Sequence, residues 1–121
     1  MNTDDRVCIA EILQSALNSV MPQSVYPNLY TGPDTEYLVW NYNTLTTVWA
    51  DNAPHAARYI VQVHYYLPHK KKPTAIIQAI SVALFSAGFT WPDVTDAADE
   101  EGQHYVLECE YVDGGGYYGF A

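Results

Sequence analysis

His55-Ala56-Ala57-Arg58-Tyr59-Ile60-Val61-Gln62-Val63-His64-Tyr65-Tyr66-Leu67-Pro68 is the stretch on which the fold turns. Tyr59, Val61, Val63 and Tyr65 alternate with Ile60, Gln62, His64 and Tyr66, and a period of two sends the two sets to opposite faces of a strand. The run reads as the central strand of a sheet. Upstream, Glu36 to Ala50 is rich in β-branched and aromatic residues and reads as one long or bent strand, or as two pieces around Asn43. Asp51-Asn52-Ala53-Pro54 is the loop between these strands.

Working outward, Val25-Tyr26-Pro27-Asn28-Leu29-Tyr30 is a short extended segment whose proline suits an edge or irregular position, and Gly32-Pro33-Asp34 is a turn. A first helix, capped by Asp4 or Asp5, carries Ile9, Ile12, Leu13, Ala16, Leu17 and Val20 on one face and stops at Met21-Pro22. Pro73 suits the first turn of a second helix. Its apolar face is Ile76, Ile77, Ile80, Ala83, Leu84 and Ala87, and Gly88 terminates it. Phe89-Thr90-Trp91 opens a strand, Asp93 to Gly102 is an acidic connection, and His104 to Tyr111 is the return strand, with Tyr105, Leu107 and Cys109 alternating against Val106, Glu108 and Glu110. The expected fold is α+β: a single mixed, mainly antiparallel β-sheet with two α-helices packed on one face. The expected domain covers residues 1–113. The remaining residues, 114–121, join four glycines to Tyr117, Tyr118 and Phe120, and read either as a frayed end or as an arm whose rings anchor on a neighbouring subunit.

Hydrophobic residues make up 49% of the 121-residue chain and charged residues 16%, a balance that demands a packed core. The formal net charge of −9 argues against binding nucleic acid by neutralising phosphates, which needs clustered Lys and Arg. The basic run Lys70-Lys71-Lys72 reads as a solvated turn before the second helix. Cys8 and Cys109 are expected to be reduced, and no stretch approaches the apolar length of a membrane span.

No segment provides a reaction mechanism, so no catalytic, cofactor-binding or metal residue is expected. Asp93, Asp96, Asp99, Glu100 and Glu101 lack the alternating spacing and central glycine of a calcium loop. His55, His64, His69 and His104 form neither HxH nor HExxH. Cys109, His104 and Glu108 are close in sequence, but period two puts the thiol on the face opposite the other two. Contact regions are instead expected on loops: Asp51 and Asn52; His69, Lys70, Lys71 and Lys72; Asp99, Glu100 and Glu101; and Tyr117, Tyr118 and Phe120.

Several segments occur together in one order. Val39-Trp40-Asn41-Tyr42 is followed by Trp49-Ala50-Asp51-Asn52, by Arg58-Tyr59-Ile60-Val61-Gln62-Val63-His64-Tyr65-Tyr66, by a helix ending Ala87-Gly88-Phe89, and by His104-Tyr105-Val106-Leu107-Glu108-Cys109-Glu110-Tyr111. This arrangement resembles the tail-terminator and tail-completion proteins of long-tailed bacteriophages, and the first helix with Val25-Tyr26-Pro27 extends the likeness over nearly the whole chain. The glycine-aromatic tail is not part of the pattern. The resemblance implies a structural protein that forms a ring of identical subunits, usually six, or is a monomer in free solution. Such a ring caps the tail tube, stops its growth and offers a docking surface to the head-side connector or stopper. It implies a virion location after assembly in the host cytoplasm, with the tail-tube protein and connector as partners and no sequence-specific nucleic-acid binding. Another neck component and a host-directed adaptor or inhibitor are the alternative readings.

Overall fold

β3 (Ala53–Leu67) lies in the middle of a five-stranded sheet, flanked by β2 (Tyr37–Ala50) and β5 (Gln103–Asp113). In the computed structural model the backbone is described for residues 8–50 and 53–113, and side chains for those residues outside 45–57 and 112–113. The edge strands are β1 (Val25–Pro27), parallel to β2, and β4 (Asp93–Asp96), antiparallel to β5. With α1 (Ile9–Asn18) and α2 (Thr74–Ser86), the chain is an α+β fold with one mixed sheet in the order β1-β2-β3-β5-β4.

The alternation along β3 decides where the core lies. Val61, Val63, Tyr65 and Leu67 are buried, and their register partners Trp40, Leu38, Leu107 and Cys109 are buried on the same face. Ile9, Leu13 and Leu17 of α1 and Ile80 and Leu84 of α2 close over that face in one cluster. On the opposite face Val39 is the one buried strand residue among those described.

α1 has only ten residues, too few to be stable alone, and its N-cap Cys8 makes no side-chain capping bond. Tertiary packing holds it. Beyond its apolar stripe, Gln14 accepts from Trp40 Nε1 at 2.8 Å and donates to the Val25 carbonyl at 3.1 Å, satisfying the polar atom of a buried indole. α2 ends as expected: Gly88 takes a φ of +105°, Phe89 N–H bonds the Leu84 carbonyl at 3.0 Å, and Gly88 N–H bonds Phe85 at 3.1 Å. This is a Schellman cap, and a positive φ favours glycine there. The ring of Tyr111 also stands 3.0 Å from where a Cβ on Gly88 would sit.

Four expectations about element bounds need correction. The first helix begins at Ile9, and Asp4 and Asp5 lie outside the described residues. Ala53 and Pro54 belong to β3, so the loop is confined to residues 51 and 52. Phe89-Thr90-Trp91 does not open a strand, because Phe89 turns into the core and strand pairing starts only at Asp93. Asp93 to Asp96 is therefore an edge strand and not a connection, and its four side chains are all exposed. An exposed edge strand gives no period-two signal, since neither face buries a residue.

Candidate functional site

The face that no helix covers carries a row of rings contributed by four strands and a loop. Tyr26 and Tyr30 stack at 4.0 Å, Tyr30 meets Tyr37 at 4.7 Å, Tyr37 stacks on Tyr66 at 4.8 Å, and Tyr66 stacks on His104 at 4.2 Å. The row ends at His64, whose Nδ1 lies 2.8 Å from His104 Nε2. Strand pairing explains the row: Tyr37 is opposite Tyr66, and Tyr66 is opposite His104, so neighbouring strands deliver rings to the same line.

A groove of about 380 Å³ lies against the middle of this row, lined by Tyr37, Tyr66 and His104 together with Asp99, Glu101 and Gln103. The structure brings two of the expected contact loops together here. His69 Nε2 lies 3.0 Å from the Glu100 carbonyl oxygen. Gln103 Nε2 donates to the carbonyls of Pro68, His69 and Lys71 at 2.8, 3.0 and 2.6 Å. Asp99 Oδ1 accepts from Glu101 N–H at 2.8 Å and shapes the hairpin turn. Lys70 and Lys72 are exposed, whereas Lys71 is paired: its Nζ lies 2.6 Å from Glu36 Oε1. The other expected contacts, Asp51, Asn52, Tyr117, Tyr118 and Phe120, lie outside the described residues.

Exposed apolar groups collect elsewhere, at the two lateral edges of the sheet. Phe85 and Trp91 make an edge-to-face pair at 5.8 Å with 59% and 50% of their surfaces exposed, and Val94 of β4 is 46% exposed. At the opposite edge Leu29, just after β1, is 74% exposed. The two edges are unlike in sequence and shape. An open groove of small residues also runs between α1 and α2, lined by Ser15, Ala16, Ser19, Ala79, Ala83 and Ser86.

The Cys109 thiol is pushed up to about 12 by burial and by the carboxylates of Glu108 and Glu110, the opposite of what an attacking thiolate needs. As period two requires, it sits in the core while His104 lies on the uncovered face. Among the described residues no group of three or more His, Cys, Asp or Glu side chains is placed to hold a metal ion. Also among them, no helix is long and apolar enough to cross a membrane. No protein-family model matches the chain, and no curated protein matches it by sequence.

The histidine pair sets a pH limit. Its contact needs one ring to donate and the other to accept, so at least one imidazole is neutral. Burial, and then the charge of His104, hold His64 below its ordinary value; burial also lowers His104, against an opposing pull from Asp99. A base whose folded pKa is depressed binds fewer protons folded than unfolded, so stability is full above the unfolded value and falls as pH drops through it. Between about pH 7 and pH 5, stability in urea is expected to fall as the pair takes up protons. His104→Phe keeps a ring against Tyr66 and should remove most of that fall. Identical pH profiles for the two proteins would refute the assignment.

Proposed function

We propose that this chain is a structural ring-forming protein of the tail-terminator type, capping the tail tube of a long-tailed phage and presenting a docking surface to the head-side connector. The reading rests on the ordered segments from Val39 to Tyr111 that resemble that family, and the observation that best supports it is the difference between the two sheet edges. A two-fold dimer joins a patch to its own copy, whereas a ring joins one patch to a different one on the next subunit. Here Phe85, Trp91 and Val94 mark one edge and Leu29 the other. The loop rim built by residues 68–72 and 99–103 lies at one end of the strands and is left free to meet a second protein by such a side-to-side ring. A net charge of −9 is also compatible with a passage that repels DNA phosphate.

Native mass spectrometry across a concentration series tests the reading. The expected result is a closed species of six times the 13.6 kDa chain mass, with no ladder beyond it. A limiting dimer at high concentration would sink it, because a dimer satisfies only one of the two edges.

A further inference from the structure

The two lateral edges differ in their backbone as well as in their side chains. β1 closes most of its own edge: the Val25 carbonyl accepts Gln14 Nε2 at 3.1 Å, Pro27 has no N–H, and the Pro27 carbonyl accepts Leu29 N–H at 2.7 Å. But β1 pairs with β2 only at Leu38, Val39 and Trp40. Beyond Trp40 no described strand pairs with that side of β2, although β2 continues to Ala50. Leu38 N–H bonds Ser24 and the Trp40 carbonyl accepts Asn28 N–H, both at 2.8 Å, so even-numbered residues turn their backbone groups to that side. Alternation then turns the N–H and C=O of Tyr42 and Thr44 to an edge that no other described strand covers.

β4 offers the counterpart. Ala97 N–H bonds the His104 carbonyl at 2.7 Å, and alternation from that pair turns Asp93 and Thr95 toward β5 and Val94 and Asp96 outward. β2 and β4 run in opposite directions, since three successive antiparallel pairings separate them. A second copy placed side by side in the same orientation therefore meets β4 with an antiparallel β2.

We propose that β4 of one copy pairs with the uncovered part of β2 of the next, Val94 opposite Thr44 and Asp96 opposite Tyr42, so that the sheet continues from subunit to subunit. This rests on the ring reading and names its interface. Tyr42 packs against the core, and Val94 is opposite Leu107, so the junction brings both to the helix-covered face, where Trp91 and Phe85 are exposed. The offset is also that of a closed ring. Within one copy Val94 is level, through Leu107 and Val63, with Trp40. Pairing with the neighbour's Thr44 steps the sheet by roughly 13 Å along the strands for every four strands, or roughly 19 Å of width, a slope of about 35°. Strands of closed barrels tilt by about 35–45°.

Asn43 and Thr95 would face each other across the junction as the pair without hydrogen bonds, the geometry in which strands approach most closely. Inside one chain they are three strand spacings apart and four residues out of line, roughly 19 Å in all, beyond the reach of a disulfide. The double variant Asn43→Cys/Thr95→Cys, in a Cys8→Ser background because Cys8 is exposed, is oxidised and run on a non-reducing gel. The expected result is a series of covalent multiples that ends at the size of the native ring, absent from either single-cysteine variant. An assembled protein that gives no such series overturns the strand pairing and leaves the ring reading standing; a protein that neither assembles nor cross-links overturns both. Val94→Pro gives a second readout, because it deletes an outward N–H without touching the β4–β5 bonds. It should keep the melting temperature of the monomer and lose assembly, whereas Thr95→Pro, which breaks an inward bond, should melt lower. Wild-type assembly by Val94→Pro would also overturn the pairing.

Discussion

Leu84→Ala is expected to lower the free energy of unfolding by about 2–5 kcal/mol, measured in urea under conditions where the chain is monomeric. Leu84 has no exposed surface and sits with Ile80 where α2 meets the sheet, so truncation loses its transfer energy and leaves a cavity that rigid strands cannot fill. Against a total stability of about 5–15 kcal/mol for a domain, that is a large share. Val82, two residues earlier on the same helix, is 46% exposed, and Val82→Ala should change stability by no more than about 0.5 kcal/mol. Equal losses for the two variants would mean that α2 does not pack on the face described.

Tyr65→Phe is expected to cost about 1.5–3 kcal/mol although it removes a single oxygen. Tyr65 is fully buried, and its hydroxyl donates at 2.5 Å to Oε2 of Glu36, whose Oε1 is 2.6 Å from Lys71 Nζ. The phenylalanine leaves a half-buried carboxylate with one partner fewer. Burial and the Glu36 charge push the Tyr65 phenol well above its usual range, so it stays a donor at any physiological pH. Burial alone would raise Glu36, but the bonds from Lys71 and Tyr65 outweigh it and hold the carboxyl below 4.5. An acid with a depressed folded pKa contributes stability above the unfolded value, and loses it as pH falls through the folded one. Tyr65→Phe should therefore move the acid-unfolding midpoint to higher pH as well as lower stability at neutrality. A variant as stable as the parent, with an unmoved acid limb, would show that this hydrogen bond contributes nothing.

Much of the fold is legible along the chain because its causes are local. Tyr59 to Tyr66 alternate, and the sheet uses that alternation directly; Pro27 argues for an edge, and β1 is one. β4 was hidden because Asp93 to Asp96 bury no face, and their charge reads as a solvated loop. The contact surfaces were less legible. Loop composition points to His69 and Glu100 separately, but nothing along the chain says that Gln103 ties their loops together. Phe85 lies off the apolar face read for the second helix and Trp91 falls after it, and nothing along the chain says that the two exposed rings meet, since helical and strand periods do not reveal what lies beyond a residue's own element.

By itself, then, the sequence determined the elements with a periodic buried face and the residues that stop them: the central strand, the second helix with its Gly88 cap, and the side of β5 on which Cys109 lies. Tertiary structure alone decided which distant residues meet. His64 and His104 are 40 positions apart, and Glu36 and Tyr65 are 29 apart; their meeting depends on strand register, which is set by the pairing of whole strands. The β1 edge was likewise closed in part only in three dimensions, by the Gln14 side chain reaching from a helix to the Val25 carbonyl and by Leu29 N–H turning back to the Pro27 carbonyl. A period tells a residue which way to face, and only the assembled sheet supplies what it faces.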